Sequence, residues 1–304
     1  MLSFWILVEK ILPLYLLILA GYIAARLLGT DRHTIGKLLL YGISPALVFM
    51  GALRIEVSLA NYSLPVIVFL VASLVSLSFF FVSKVFYAKP EASLMAYAAG
   101  SSNTGYFGLP VIVAVLGLEA LDLAVIANLG MVFFECTIGF YLAACGNFSI
   151  KQSFYKVVRL PHLYLLLTGI FLNATGVNYT WFITAFEQPI KGSYTLLGMM
   201  LIGIGLASTK VSFSDLRFAA FCSLAKFLIW PALMSLLLYL SRGIFQIHTE
   251  QAAQILLIMS IVPVAANTVV IAAELDLNPG KAAFAVILST VLALAIIPLY
   301  CAFA

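Results

Sequence analysis

Apolar runs long enough to cross a lipid bilayer recur along the whole of this 304-residue sequence. A transmembrane helix needs roughly 17–25 predominantly apolar residues, and we predict ten such segments, numbered spans 1 to 10 in chain order. Their predicted bounds are 3–28, 34–53, 62–87, 92–117, 121–146, 160–176, 186–208, 215–241, 251–273 and 281–303. Only 9% of the residues are charged, against about 25% in a soluble domain. The sequence therefore predicts an all-α membrane protein with ten transmembrane helices.

Several functional classes lack their sequence signatures in this chain. The longest hydrophilic stretch, 147–159, is too short for a soluble domain, and without a G-x-x-x-x-G-K-[ST] motif we expect no ATP hydrolysis. There is no basic patch with interleaved aromatic residues to indicate nucleic acid binding, and no set of side chains within the spans suits an intramembrane enzyme. Cysteine spacing fits neither a disulfide framework nor a zinc site; the four cysteines are Cys136, Cys145, Cys222 and Cys301. We therefore expect no cofactor, no metal ion and no enzymatic activity.

The distribution of lysine and arginine predicts the orientation of the chain. The loops after spans 1, 3, 5, 7 and 9, counted with the span ends beside them, hold eleven of these residues, and the other set, counted with the amino end, holds four. Because cytoplasmic loops have the excess of Lys and Arg, we expect the first set, including 147–159, to be cytoplasmic. Both termini are then outside a multi-pass protein of the inner or plasma membrane.

Ten spans divided at the basic segment 147–159 indicate two halves of five, 1–150 and 151–304. Five is odd, so the second half enters the membrane inverted, which is typical of secondary transporters. Two pairs of features recur at nearly the same offset. Pro65 of span 3 corresponds to Pro231 of span 8 at 166 residues, and Asn103 of span 4 corresponds to Asn267 of span 9 at 164 residues. The sequence thus predicts two inverted five-helix repeats.

Spans 4 and 9 contain residues that disfavour a continuous helix. Span 4 includes SSNTGYFGLP at 101–110, and span 9 includes VPVAANT at 262–268. In hydrocarbon an unpaired backbone N–H or C=O costs several kcal/mol, so a break survives only where protein or a polar cavity satisfies it. Each break also leaves a helix N-terminus, which favours anions. Two breaks at matching positions of inverted halves would meet near the midplane and form one anion site.

The breaks supply the candidate site residues. Amide and hydroxyl groups that can face a substrate belong to Asn103, Asn267, Ser101, Ser102, Thr104 and Thr268. Glycines allow close backbone approach, and prolines remove a donor and hold a break open; the residues that shape the breaks in this way are Gly105, Gly108, Pro110 and Pro263. The alternative interpretation is a pair of kinked helices whose polar groups are satisfied internally.

Two charged side chains within the spans are candidates for coupling transport to an ion. Glu135 lies about 13 residues into span 5, roughly 20 Å deep at 1.5 Å per residue, on a helical stripe that should face the protein interior. It is either a proton carrier or a structural carboxyl group hydrogen-bonded to a broken helix. Lys226 of span 8 either extends to the lipid headgroups, pairs with Glu135 or draws anions inward.

The motifs of the breaks resemble those of the auxin efflux carrier family, which includes plant auxin carriers and bacterial permeases for malonate and related acids. The matching stretches are NTGYFGLPVIVAVLG in span 4, PVAANTVVIAAELDLNPG in span 9, GYIAARLLG in span 1 and LYGISPALVF in span 2. The resemblance extends over essentially the whole chain. The segment after span 5 is short, as in the bacterial branch, and Thr268 stands where plant members have a second proline.

The resemblance implies a fold similar to sodium/proton antiporters and bile-acid symporters, in which discontinuous helices 4 and 9 cross. It implies a mobile core of spans 3–5 and 8–10, a scaffold of spans 1, 2, 6 and 7, and a homodimer. It also implies that a substrate carboxylate binds at the crossing, near asparagines that match Asn103 and Asn267.

The function that these features favour is secondary transport of small organic anions, such as malonate-like carboxylates or auxin-like acids, by elevator-type alternating access. The energy would come from the proton gradient through Glu135 or from simple downhill efflux, and sodium is less favoured because no cluster of intramembrane acids is evident. The alternative is a channel or a membrane sensor for a small anionic ligand.

Overall fold

The computed structural model describes residues 4–53, 59–177, 179–207, 213–244 and 250–303, and the regular structure within them is helical. The α-helices are α1 (Phe4–Leu28), α2 (Arg32–Leu38), α3 (Ser44–Ala52), α4 (Leu59–Val82), α5 (Lys89–Gly100), α6 (Leu109–Leu116), α7 (Leu121–Phe134), α8 (Phe140–Ala144), α9 (Ile150–Val158), α10 (Pro161–Ala174), α11 (Thr180–Ala207), α12 (Phe213–Leu224), α13 (Trp230–Ile244), α14 (Glu250–Ser260), α15 (Asn267–Glu274) and α16 (Pro279–Phe303). The prediction of an all-helical protein is confirmed.

Five continuous helical segments among the described residues are long and apolar enough to cross a membrane. They are His33–Ala52, Ser63–Val85, Leu123–Ala144, Asp215–Leu240 and Pro279–Ile297, and they coincide with predicted spans 2, 3, 5, 8 and 10. Predicted spans 1, 6 and 7 coincide with α1, α10 and α11. Large apolar side chains are exposed on the outer helices, among them Leu27 at 77% and Phe171 at 69%, as suits a surface in contact with lipid. The total of ten spans stays a prediction.

Predicted spans 4 and 9 are both broken. The first helical half of span 4, α5, ends at Gly100, and the chain resumes as a π-helical turn at Thr104–Gly108 that continues into α6. In span 9, α14 ends at Ser260 and α15 begins at Asn267. Residues 92–100 of α5 are all buried, so the break of span 4 follows a helix enclosed by protein rather than by lipid.

Four π-helical turns interrupt α-helices in the described residues: Leu39–Ile43, Thr104–Gly108, Glu135–Gly139 and Ala225–Ile229. Such turns are rare and occur frequently at functional sites. One of them begins at Glu135, and another contains Lys226. The two coupling candidates therefore both lie where a membrane helix is locally unwound.

Two helix starts outside the predicted spans are fixed by polar caps. Asp31 accepts hydrogen bonds from the backbone N–H groups of His33 and Thr34 at the start of α2. The Thr34 hydroxyl and these amides lower the pKa of Asp31 to about 2. The hydrophilic segment 147–159 contains helix α9, because Ser149 and Gln152 form a capping box there. It is thus a short helix with connecting turns rather than an extended loop.

Glycine allows α1 and α11 to pack with their backbones in contact. A Cβ atom at Gly203 of α11 would lie against Ile18 O and 2.6 Å from Tyr22 N, both on α1. The reciprocal position, Gly21 of α1, lies against the backbone of Met200. Elsewhere on α11, a Cβ atom at Gly205 would lie 3.2 Å from Pro279 O, whereas one at Gly198 would meet no atom within 4 Å. Small residues at a membrane helix interface permit this close approach.

We expect Gly203→Ala to destabilise the protein by about 1–3 kcal/mol, because the added methyl group has to push the α1 backbone away. Thermal unfolding of the purified protein in detergent measures the loss. Gly198→Ala is the matched control on the same helix, and we expect no loss from it. Equal melting temperatures for the two variants would contradict the packing described for α1 and α11.

Candidate functional site

The two breaks contact each other and satisfy part of each other's backbone. The N–H group of Asn103 donates to Pro263 O at 2.9 Å, and the N–H group of Ala265 donates to Ser101 O at 3.3 Å. Ser102 and Val264 form an isolated antiparallel bridge between these bonds. The pairing replaces hydrogen bonds that an interrupted helix would otherwise lose in a place without water.

Side chains from neighbouring helices satisfy further backbone groups at the breaks. The Ser289 hydroxyl of α16 accepts from Val264 N–H at 3.1 Å. The indole N–H of Trp230 donates to Ala99 O, near the end of α5, at 2.9 Å. The breaks are thus held by the protein on both sides, α16 from one and α13 from the other.

Lys226 is fully buried and directed at the break of span 4. Its ammonium group donates to the Ser102 hydroxyl at 2.7 Å and lies 4.6 Å from the centroid of the Trp230 ring. The interpretation that Lys226 extends to the lipid headgroups is wrong, because a side chain with 0% exposure does not reach them. A buried charge is costly unless it is paired or hydrogen-bonded, which accounts for its contact with the break.

Glu135 contacts both breaks at once. Its Oε1 atom accepts from the Ser101 hydroxyl of the first break, and its Oε2 atom accepts from the Asn267 amide at 2.5 Å. The side chain is buried, as the helical stripe predicted. Ser101 and Ser102, adjacent in the chain, therefore place a carboxyl group on one side of the break and the ammonium group of Lys226 on the other.

A cavity of about 650 Å³ opens beside the meeting point of the breaks. The breaks contribute Ser102, Asn103, Thr104, Gly105 and Asn267 to its wall, and Glu135 lines it as well. Most of the remaining wall is apolar, with side chains from α3, α6 and α7 such as Leu47, Val113 and Leu129. A largely apolar cavity with a few convergent polar groups is the usual form of a small-molecule site.

Asn103 is one of the polar residues on the cavity wall. Its side chain makes no capping hydrogen bond to the π-helical turn that follows it, and within the described residues the amide has no hydrogen-bond partner. In contrast, the Thr104 hydroxyl is bound to Asn128 Oδ1 at 2.5 Å. Buried polar groups are normally hydrogen-bonded, so an amide that faces a cavity is available to a ligand.

The other predicted site residues lie around the cavity rather than on its wall. Ser101 faces Glu135, and Lys226 and Pro263 lie behind the breaks. Thr268 is 0% exposed, and its hydroxyl has no hydrogen-bond partner among the described residues. Gly108 is buried against Asn103 O, whereas the side chain of Pro110 lies outside the described residues.

Three cavity residues were not predicted from the sequence. Tyr194 of α11 donates to Asn267 Oδ1, and Ser44 at the start of α3 lies 2.9 Å from His162 Nε2 of α10. His162 is 2% exposed and lines the cavity. Their signal in the sequence is weak, because other polar residues occur in the same predicted spans and no local pattern distinguishes these three.

The described residues contain no group of three or more His, Cys, Asp or Glu side chains that could hold a metal ion. The cysteines described, Cys136, Cys145 and Cys222, are free and buried. The polar groups of the cavity and the breaks are amides, hydroxyls, the His162 imidazole, the carboxyl groups of Glu135 and Glu187, and the ammonium groups of Lys191 and Lys226. They are suited to binding a small molecule.

Comparison with known proteins identifies a transport family. Residues 6–153 match the family model described as membrane transport protein. An uncharacterized transporter of Methanothermobacter thermautotrophicus is 24% identical over 96% of this chain and 96% of its own length. An uncharacterized transporter of Methanocaldococcus jannaschii is 24% identical over 96% of this chain and 97% of its own length. These similarities confirm the resemblance to the auxin efflux carrier family, and together with the apolar helices they support a multi-pass membrane transporter.

We expect Ser289→Ala to destabilise the protein by about 1–3 kcal/mol, because it leaves the buried N–H of Val264 without its acceptor. Ser93→Ala is the matched control: Ser93 is also 0% exposed, but its hydroxyl has no partner within the described residues. Thermal unfolding in detergent distinguishes the two. A loss at Ser93 as large as that at Ser289 would show that the serine does not hold the break.

Proposed function

We propose that this membrane transporter, similar over its first half to the auxin efflux carriers, is a secondary transporter of small organic anions. The observation that carries the proposal is the Asn103 amide, which faces the cavity without a hydrogen-bond partner among the described residues, where two broken helices meet. Asn267 lines the same wall. A carboxylate accepts hydrogen bonds from such amides, and the helix starts that follow the breaks favour its negative charge.

The pattern of helix contacts supports two inverted five-helix repeats, 1–150 and 151–304. The proposed repeat relates span 1 to span 6 and span 2 to span 7. The contact between spans 1 and 7 (α1 with α11) then corresponds to the contact between spans 6 and 2 (α10 with α3). The contact between spans 3 and 5 (α4 with α7) likewise corresponds to the contact between spans 8 and 10 (α12 with α16). Both members of each pair are present, as a repeated architecture requires.

The same contacts support a division into two bodies. Spans 3–5 and 8–10 surround the breaks as the core, and spans 1, 2, 6 and 7 form the scaffold. The cavity lies between them, with Asn103 and Asn267 on the core side and Ser44 and Tyr194 on the scaffold side. In our proposal the core moves against the scaffold in an elevator-type cycle, in a homodimer of the inner or plasma membrane with both termini outside.

Glu135 is the group through which we propose that protons drive the cycle. It is buried, lines the cavity and contacts both breaks. A proton bound there therefore acts on the Asn267 amide, which lines the same cavity wall as Asn103. Uptake of malonate and indole-3-acetate into proteoliposomes, under imposed proton and sodium gradients, tests the function and the coupling ion together.

We expect Asn103→Ala to reduce anion uptake to the background of empty liposomes while the protein remains folded. The substitution removes the amide that binds the anion and leaves the backbone bond of residue 103 to Pro263 in place. Uptake, with insertion confirmed by density-gradient flotation, is the measurement. Asn173→Ala on α10, away from the cavity wall, is the control and should keep wild-type uptake. Wild-type uptake by Asn103→Ala would overturn the assignment.

We expect Glu135→Gln to abolish the dependence of uptake on the proton gradient, because the amide cannot gain or lose a proton near neutral pH. Uptake measured from pH 5.5 to 7.5 should then vary less than two-fold. Glu119→Gln is the control at an exposed glutamate, and it should keep the wild-type profile. An unchanged profile in Glu135→Gln would assign the proton site elsewhere.

A further inference from the structure

Tyr194 connects the scaffold to the core at the cavity. It lies on α11, is 8% exposed, and its hydroxyl donates to Asn267 Oδ1. The other end of the same amide, Nδ2, donates to Glu135 Oε2 at 2.5 Å. One side-chain amide therefore separates a scaffold hydroxyl from the buried carboxyl group of the core.

The direction of these hydrogen bonds depends on the charge of Glu135. An ionised carboxylate only accepts, and here its Oε1 atom already accepts from Ser101. Asn267 must then present its NH₂ group to Glu135 and its oxygen to Tyr194, so the only hydrogen of the tyrosine hydroxyl is used on Asn267. The observed arrangement is the one that an ionised Glu135 dictates.

A proton on Glu135 reverses the direction of these hydrogen bonds. When a proton from the solvent adds to Oε2, that atom becomes a donor and repels the NH₂ group of Asn267. The amide turns over, so that its oxygen accepts from Glu135 and its NH₂ group donates to the oxygen of Tyr194. Apart from the new O–H bond of Glu135, only hydrogen bonds break and form. The hydroxyl hydrogen of Tyr194 then turns from Asn267 to an oxygen atom in the cavity, where a bound carboxylate competes with the neighbouring Ser44 hydroxyl for it.

We propose that Tyr194 is a positioning and specificity residue that makes anion binding depend on the protonation of Glu135. With Glu135 ionised, Tyr194 donates to Asn267; with Glu135 protonated, it donates to a carboxylate in the cavity. The proton and the anion then bind together, and each favours the other. This inference rests on the proposed transport function and assigns its coupling to one scaffold side chain.

Several other titratable groups lie near the hydrogen bonds that join Glu135, Asn267 and Tyr194. Their effects on the pH dependence have to be distinguished from that of Glu135. Three of these groups face Glu135: Tyr97 of α5, Cys136 of the π-helical turn that begins at Glu135, and Lys226. His162 lines the cavity and contacts Ser44, which in turn adjoins Tyr194. The pair Glu187 and Lys191, whose ions lie 2.5 Å apart, is on the cavity wall of α11. Variants His162→Gln and Lys191→Gln therefore accompany the main test.

The main test is the KM for malonate and for indole-3-acetate in proteoliposomes at pH 5.5 and pH 7.5. In the wild type we expect a lower KM at the acidic pH. Tyr194→Phe should raise KM at pH 5.5 about ten-fold, as expected for one lost hydrogen bond to a charged group, and change it less than two-fold at pH 7.5. Tyr87→Phe, which removes a buried tyrosine hydroxyl without a partner in the described residues, should keep the wild-type values. His162→Gln and Lys191→Gln should keep the pH dependence.

A Tyr194→Phe variant with the wild-type pH dependence of KM would overturn the proposal, as would loss of that dependence in His162→Gln or Lys191→Gln.

A measurement without any substrate separates this inference from the transport function. Infrared difference spectra on acidification report the phenol C–O band, which shifts between a donating and an accepting hydroxyl. We expect the shift in the wild type and in Tyr87→Phe, and its absence in Tyr194→Phe and Glu135→Gln. A shift of the band in all four proteins, or in none, would also overturn the proposal. If the expected shifts appear but the protein transports neither anion, the proposal is sustained and the transport function alone is refuted.

Discussion

The inability of hydrocarbon to hydrogen-bond a peptide group determines the rest of this structure. Two helices that stop within a bilayer leave N–H and C=O groups that cannot turn to water. Here they turn to each other, through the bonds between Asn103 and Pro263 and between Ala265 and Ser101. Because the two breaks must meet to be stable, any group attached to either break is brought to the same place. The site is therefore a consequence of how the backbone is satisfied.

The charged residues of the site follow from the same constraint. Ser101 and Ser102 belong to the break, and their hydroxyls bind Glu135 and Lys226 from opposite sides. Each charge lies in a π-helical turn, where a helix is locally widened. A carboxyl group and an ammonium group that were isolated in lipid would each cost several kcal/mol. Bound to polar residues at the break, they remain inside the protein and next to the cavity.

The sequence predicted the features that have a strong local signal. The breaks in spans 4 and 9 were visible because Asn103, Pro263 and Asn267 interrupt apolar runs, and the burial of Glu135 followed from helical periodicity. The details that depend on tertiary contact were not visible. The hydrogen bonds of Ser289 with Val264 and of Tyr194 with Asn267 join residues that are 25 and 73 positions apart in the chain, which no local pattern indicates. The direction of Lys226 was also open, because periodicity does not distinguish a side chain that reaches the headgroups from one that reaches a neighbouring helix.

In the proposed transport cycle, the neighbouring acid and base at the break would also determine how membrane voltage acts on the protein. Glu135 and Lys226 together have a net charge of zero when both are ionised, and also when the proton has passed from the lysine to the glutamate. A core that moves with this pair and an empty cavity therefore transfers no charge across the electric field, and the potential does no work on that step. With one added proton and one monoanion bound, the sum is again zero. For a monocarboxylate, such a cycle would be electrically silent in both directions and would respond to concentration gradients alone.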